Sequence, residues 1–154
     1  MKKHLTTIII ALIGVLFCSC TKSDMREHFV GNYKLNVQGT LTMNNPYGVK
    51  RTIVVNATDL NMEIEKNPGV QNGVCIKGYY HCNATVDKSS IYLEQITLID
   101  TLDEIPMTLN IAPTKGVLDA NGILTFEAPI TGTAYYQQLN ADIEGTFHNS
   151  AVKQ

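Results

Sequence analysis

Long basic runs, abundant cysteines and helical spacing of apolar residues are all missing from this chain of 154 residues. No run of basic residues is longer than a pair such as Lys50-Arg51. This excludes the positive surface that nucleic-acid-binding proteins and polybasic membrane-binding segments need. The four cysteines are too few for a small disulfide-stapled scaffold. We therefore expect no nucleic-acid partner, and a domain that is held together by a hydrophobic core.

Residues 1–19 have the features of a secretory signal peptide. Lys2 and Lys3 give a positive start, and the following stretch Leu5–Phe17 carries no charge. A helix needs about 20 residues to cross roughly 30 Å of hydrocarbon, so this stretch is too short to span a membrane comfortably. A charged start, a short apolar segment and small residues at its end predict a cleaved signal peptide, with an uncleaved anchor as the alternative.

The end of this leader resembles the lipobox of bacterial lipoproteins. The segment Leu16–Cys20 reads Leu-Phe-Cys-Ser-Cys, and the resemblance implies cleavage before Cys20 and a diacylglycerol on its thiol, with Cys18 as the competing position. Stable attachment takes two or more acyl chains, and a diacylglycerol meets that condition. Residues 20–27 are then the lipidated cysteine and a short tether of roughly 25 Å. We expect a protein of the cell envelope that is lipid-anchored in the outer membrane.

The remaining residues, 28–154, have the size of one domain with its own core. Removal of Lys2 and Lys3 with the leader lowers the basic count from 12 to 10 against 14 acidic residues, a net charge of −4. Loss of Cys18 and lipidation of Cys20 leave two cysteines in the domain.

Apolar residues after His28 alternate with polar ones at a period of two, which is typical of β-strands with one buried face. We find no helical pattern, and we expect eight to ten antiparallel strands in a single up-and-down β-barrel, with a β-sandwich as the alternative. The predicted strands are Tyr33–Met43, Thr52–Asn56, Leu60–Ile64, Val74–Val86, Ile91–Ile99, Met107–Ile111, Val117–Leu118, Ile123–Phe126 and Leu139–Phe147.

Val74–Val86 is the longest alternating segment and admits two layouts. As one strand it separates Cys75 from Cys82 by roughly 23 Å and forbids a disulfide. A two-residue hairpin at Gly78-Tyr79 would instead place the two cysteines opposite each other, and the oxidising envelope would then join them. The apolar face continues through Gly78 without losing phase, so we expect one strand, with a buried free thiol at Cys82 and a more exposed one at Cys75.

Two connections and the chain end are also predicted. Asn121-Gly122 suits a type I′ turn, and Asp100–Glu104 is expected to be an acidic inter-strand loop. Residues 148–150 are expected to belong to a fraying C-terminus.

The segment Phe29–Tyr33, with a glycine two residues before an aromatic, resembles the first strand of calycin barrels. The segments Gly78–Asp87 and Gly116–Thr125 are similar to the calycin-like, or lipocalin-like, lipoproteins of Gram-negative bacteria. The resemblance implies an eight-stranded barrel whose mouth holds a small apolar ligand, and it implies no agreed activity.

We therefore expect a binding protein. Its ligand would be a small apolar molecule in the barrel interior. The alternative is a protein-interaction or accessory module of an envelope complex, with a filled barrel and no ligand. The residues expected to line the ligand site are Leu35, Met62, Ile76, Tyr80, Leu109 and Ile143.

No catalytic or cofactor-binding constellation is predicted. Asp100, Asp103 and Glu104 crowd three carboxylates as a calcium site would, yet nothing completes a cage and we expect surface charge. The histidines lack metal-ligand spacing, and no Gly-x-Ser-x-Gly elbow occurs. We therefore expect neither an enzyme nor a metal site. The histidines in question are His28, His81 and His148.

Two tyrosine pairs and one short motif remain. In a strand, Tyr79-Tyr80 and Tyr135-Tyr136 would each send one ring inward and one outward, where the outward ring could stack on a sugar or a partner protein. Ordinary sheet packing is the simpler expectation, because tyrosine favours strands. The sequence Asp-Thr-Leu at residues 100–102 resembles the O-glycan acceptor of some Gram-negative lipoproteins, which would place a glycan on Thr101.

Overall fold

The computed structural model describes residues 23–154, which form ten β-strands after a short 3-10 helix at Met25–His28. The predicted signal peptide and the lipidation site Cys20 lie outside these residues. All paired strands run antiparallel, so the predicted all-β class is confirmed. The strands are β1 Gly31–Asn44, β2 Lys50–Lys66, β3 Gly73–Gly78, β4 Cys82–Asp87, β5 Ser90–Leu93, β6 Ile96–Leu102, β7 Ile105–Ile111, β8 Thr114–Leu118, β9 Ile123–Tyr136 and β10 Leu139–Lys153.

The sheet closes on itself in a barrel-like ring. Its strand order is β10-β1-β2-β3-β4-β5-β8-β9-β7-β6, and β9 also pairs with β10. This extra pairing closes the ring. Two separate sheets of a sandwich would lack such a pairing. The first half of β9 pairs with β8 and the second half with β7. The hairpin β6–β7 therefore extends from the ring as an open part of the sheet. The path differs from a simple up-and-down barrel, because β5 pairs with β8 across this hairpin.

Alternate side chains of each strand fill one continuous core. The predicted inward face of β1 is confirmed along its whole length, since no member of it except glycine is more than 2% exposed. Burial of one such apolar side chain stabilises the fold by about 1.5–3 kcal/mol. The members are Tyr33, Leu35, Val37, Leu41 and Met43.

One bulge joins two predicted strands into the single long strand β2. Asn36 of β1 faces both Thr58 and Asp59 of β2, and Asp59 has a φ of +57°. The Asp59 N–H donates to Asn36 Oδ1 at 3.1 Å. One extra residue moves the inward face from odd positions such as Val55 to even positions such as Met62. The sequence pattern therefore suggested a break where the strand continues.

The prediction of one strand over Val74–Val86 is wrong. The segment is a hairpin of β3 and β4, and the chain reverses at residues 79–81. The register differs from the hairpin alternative as well, because Ile76 lies opposite Cys82. Gly78 has a φ of +106°, and a Cβ there would lie 2.2 Å from the Asn61 carbonyl oxygen. Only glycine fits this approach of β3 to β2.

Ile91–Ile99 is also divided, because the chain leaves β5 at Glu94-Gln95 and enters β6. The acidic segment is shorter as a loop than predicted. Asp103 and Glu104, with φ values of +50° and +65°, form a two-residue turn between β6 and β7. Asp100 and Thr101 therefore belong to β6.

Two further corrections concern the turn between β8 and β9 and the end of β10. Asn121-Gly122 lies in a wider turn, in which Gly122 has a φ of +79° and Asp119 Oδ1 accepts the N–H groups of Asn121 and Ile123 at 2.8 Å. Type I′ geometry needs a positive φ at both central residues, and Asn121 does not have one. The C-terminus does not fray at residues 148–150, since β10 continues to Lys153.

The 3-10 helix attaches the start of the described chain to one end of the ring. Asp24 caps it by accepting the Arg26 N–H at 3.1 Å, and the Arg26 guanidinium holds the pKa of Asp24 below its usual range. Lys66 at the end of β2 forms ion pairs with both Asp24 and Glu27. Met25 packs against the core. Residues 24–27 of the predicted tether are thus bound to the domain.

Candidate functional site

The six residues predicted to line a ligand site all lie in the hydrophobic core. None of the six is more than 3% exposed. A cavity large enough for a ligand would leave the side chains around it accessible to a water-sized sphere, and these side chains are in contact with one another and their neighbours instead. Their exposed fractions are 0% for Leu35 and Tyr80, 1% for Ile76 and Leu109, 2% for Met62 and 3% for Ile143.

Tyr80 fills the centre of the ring. The loop at residues 79–81 turns its ring inward, where it packs against Tyr79 at 5.0 Å and Phe126 at 5.8 Å between ring centroids. Its hydroxyl donates to Asn149 Oδ1 at 2.7 Å. Burial raises the pKa of Tyr80 well above its usual range. The β3–β4 loop is thus joined through the interior to β9 and β10 on the far side.

Asn149 is the buried polar partner that this tyrosine needs. It is 4% exposed, and its Nδ2 donates to the carbonyls of Phe126 at 3.3 Å and Phe147 at 3.2 Å. Both ends of the amide are therefore satisfied, as burial requires. Sequence reasoning missed this residue because it placed the position in a frayed terminus. The alternation of Phe147, Asn149 and Ala151 was a signal that could have found it.

The end of the ring that carries the 3-10 helix is closed by aromatic residues. Phe29 is fully buried, and its carbonyl accepts the Tyr33 hydroxyl at 2.7 Å. Burial raises the pKa of Tyr33 to about 12. Tyr33 near the helix end and Tyr80 near the middle thus fill the interior of the barrel-like ring with their aromatic side chains. Both hydroxyls donate hydrogen bonds to protein atoms.

The two cysteines are free and half-buried, on opposite faces of the β3–β4 hairpin. Cys75 is opposite Asn83 and its thiol lies 3.5 Å from Asn83 Oδ1. Cys82 packs against the core, and burial raises the pKa of its thiol to about 12. Cys82 is less completely buried than the sequence predicted.

A groove of about 620 Å³ crosses the outer face of β2, β1 and β10. Gly39 and Gly145 face inward beneath it, and a Cβ on either would lie 2.2 Å from a carbonyl oxygen of the neighbouring strand. Glycine at these two positions permits the close approach of the β1 and β10 backbones beneath the groove. His148, at one side of the groove, contacts a carboxylate, since its Nδ1 lies 3.2 Å from Glu127 Oε1. Amide and hydroxyl groups line the rest of the groove, together with Val54. The lining residues are Gln38, Gly39, Thr40, Val54, Val55, Asn56, Gly145, Thr146 and His148.

The structure separates the three predicted acidic residues. Asp100 lies on the partly buried face of β6, Glu104 is exposed, and Asp103 Oδ2 accepts from Arg51 Nη2 at 3.2 Å. Arg51 also lies 5.0 Å from the centroid of the Tyr136 ring. This arginine therefore links the β6–β7 turn to the ends of β2 and β9. Within residues 23–154, no group of three or more acidic, cysteine or histidine side chains is arranged to hold a metal ion.

The tyrosine pairs differ in their placement. Tyr135 is 60% exposed and Tyr136 is turned toward Arg51, as adjacent strand residues should be. Tyr79 and Tyr80 lie in a loop, and both contact the core. The histidines named above lie on three separate elements, namely the 3-10 helix, the β3–β4 loop and β10.

In the part of the chain that the structure covers, no helix has the length and apolar character needed to cross a bilayer. Comparison with protein-family models, with curated proteins and with solved structures finds no significant match for this chain.

Proposed function

We propose that this protein is a lipid-anchored accessory module of the bacterial cell envelope that binds partners through its outer surface. Its lipid is on Cys20 and its membrane is the outer membrane. The observation that carries this proposal is the filled interior, where Tyr80 and Asn149 occupy the space that a small apolar ligand would need. In this proposal the residues expected to line a ligand site belong to the hydrophobic core instead, and the protein binds no ligand in its interior.

The attachment of Asp24 supports a defined orientation on the membrane. Three residues separate Asp24 from the proposed lipid on Cys20, and the four Cα-to-Cα steps between them reach about 14 Å when extended. The end of the ring with the 3-10 helix would therefore face the bilayer. β1 has 14 residues and is about 45 Å long. The β1–β2, β6–β7 and β9–β10 turns at its far end would then face away from the membrane, where a partner can reach them.

Membership of the calycin-like lipoproteins is part of the proposal. The ring-like closure through β9 and β10 supports it. A barrel with an open apolar mouth is the arrangement that the resemblance implies, and here Phe29 and Tyr80 occupy the interior. The proposed protein therefore keeps the scaffold and uses its outer surface.

A titration with a fluorescent long-chain fatty acid tests the filled interior. Wild-type protein should show no saturable binding, because there is no space for the chain. Tyr80→Ala removes the whole phenol ring, and binding of benzene to this variant but not to the wild type is the positive control, since an apolar cavity of that size accepts small apolar molecules. Saturable one-to-one binding to the wild type, together with a change in the near-ultraviolet absorption of its tyrosines, would contradict the proposal.

A further inference from the structure

β6 is an open edge of the sheet. Among residues 23–154 it pairs with β7 on one side and with no strand on the other. Within the same residues, the first half of β2, residues 50–57, is a second open edge, because it pairs there with β1 alone. An unpaired edge presents a row of N–H and C=O groups that can accept another strand.

The register shows which backbone groups of β6 are free. Leu102 and Ile105 flank a two-residue turn and form a hydrogen-bonded pair. Hydrogen-bonded and non-hydrogen-bonded pairs then alternate along the hairpin. The N–H and C=O groups of Thr97, Ile99 and Thr101 therefore point away from β7. Consistent with this, the Thr101 N–H donates to the side chain of Asp100, Oδ1, at 2.7 Å.

The two open edges differ in their protection. The β2 edge begins with Lys50 and Arg51, and charged residues of this kind prevent pairing with other chains. β6 contains no lysine, proline or glycine, and its register with β7 is free of bulges. Ile99 at its centre is 85% exposed. Leu98 and Leu102 on its other face are only half-covered by the core. Of the features that natural proteins use to block an edge, β6 thus carries one, the carboxylate of Asp100 on its partly buried face.

The charge near this edge is negative. Asp100 on β6 has no ion pair among the described residues, and Glu104 in the adjacent turn is exposed. Asp103 is already paired with Arg51. A strand that pairs with β6 would place one side chain beside Asp100, and a basic residue suits that position.

A second copy of this chain does not fit the edge on one membrane. Two β6 strands that paired antiparallel about Ile99 would be related by a two-fold axis perpendicular to the sheet. This axis reverses the long direction of the domain, so the two 3-10 helices would point to opposite sides. Two chains anchored in the same bilayer at Cys20 cannot adopt that arrangement.

We propose that β6 binds an extended segment of another protein, which adds to the sheet as a further strand. The segment carries apolar residues beside Leu98 and Leu102 and a lysine or arginine beside Asp100. Main-chain hydrogen bonds supply the affinity and these three positions supply the specificity. This inference rests on the proposed accessory role and identifies the surface and the kind of partner.

The test uses the processed, lipid-bearing protein in detergent and a fluorescent heptapeptide of threonine, valine, valine, lysine, valine, valine and threonine. The peptide reads the same in both directions and places lysine beside Asp100. We expect saturable binding that protects the amides of Thr97, Ile99 and Thr101 from hydrogen exchange. The same peptide with glutamate in place of lysine should bind at least about fivefold more weakly, and one with N-methylated valines should not bind.

Two variants separate strand addition from a side-chain contact. Ile99→Pro removes the free N–H without touching the bonds to β7, and it should lower peptide affinity at least about tenfold. Ile99→Thr keeps the backbone and should bind within about threefold of the wild type. Where Ile99→Pro disturbs folding, the exchange protection in the wild type decides the outcome.

Equal binding by Ile99→Pro and wild type would overturn the inference, and so would loss of binding in both variants or absence of exchange protection. Self-association through β6 that Ile99→Pro abolishes would assign the edge to a second copy and also overturn it. The fatty-acid titration is independent of these measurements. An interior ligand would defeat the proposed function and leave the peptide result unchanged.

Discussion

Replacement of Tyr80 by phenylalanine isolates one buried hydrogen bond in the centre of the ring. The variant keeps the aromatic packing on Phe126 and leaves Asn149 Oδ1 without its donor. A buried acceptor that loses its partner costs about 1–3 kcal/mol, more than the net contribution of about 1 kcal/mol from an ordinary hydrogen bond. We expect Tyr80→Phe to lower the free energy of unfolding by about 2 kcal/mol. Urea denaturation followed by circular dichroism measures this change.

A double-mutant cycle with Asn149→Leu assigns the loss to this contact. Asn149→Leu alone also removes the two hydrogen bonds that Nδ2 donates. The double variant should be more stable than the sum of the single losses predicts, by about 1 kcal/mol or more, because no polar group is then left unpaired at the tyrosine. Tyr80→Phe within about 0.5 kcal/mol of the wild type, or additive losses, would refute the reasoning.

Further predictions concern the anchor, the groove, the thiols and the acidic turn. Cys20→Ala should release the protein from membranes or stall its processing; a processed, acylated variant in the membrane fraction would contradict the lipobox interpretation. Gly145→Ala should lower the free energy of unfolding by about 1–3 kcal/mol, since its Cβ meets a β1 carbonyl at 2.2 Å, whereas Gly69→Ala, with its nearest atom at 3.7 Å, should not change it. Alkylation without reductant should label both cysteines, with Cys82 reacting slowly until the pH approaches 12, and an intact bridge to Cys75 would disprove this. The thiolate of Cys82 is disfavoured only in the folded state, so stability should decline as pH rises from about 9, measurable by denaturation at constant ionic strength. Millimolar calcium should leave the melting temperature within about 1 °C of its value in chelator, and a marked rise would indicate a site at the β6–β7 turn.

The faces of the strands were predictable because alternation reports burial directly. In β1 every expected inward residue is buried. The reversal between β3 and β4 was not predictable from the same pattern. The loop at residues 79–81 sends Tyr80 into the core between Ile76 and Ala84, so apolar residues keep their period across the turn. A loop residue that fills the interior is indistinguishable in sequence from a strand residue that faces it.

The filled interior needed information that the sequence does not contain locally. Tyr80 and Asn149 are 69 residues apart along the chain. Nothing in the period-two pattern of either segment indicates that they meet. The pairing of β5 with β8 is hidden for a similar reason, because the hairpin β6–β7 lies between them in the chain and follows the same alternation. The open edge at β6 is a further example, because an edge strand can be recognised only when the pairing partners of every strand are known.

The pairing of β1 with β10 has a consequence for how the chain folds. Tyr33 aligns with Lys153, so the first strand is completed by a strand that lies far from it along the chain. Contacts of such long sequence separation slow folding, and β1 keeps an exposed apolar edge until β10 arrives. A newly synthesised chain would therefore stay open along this edge until β10 has formed. Loss of residues 150–153 would leave the start of β1 without its partner strand.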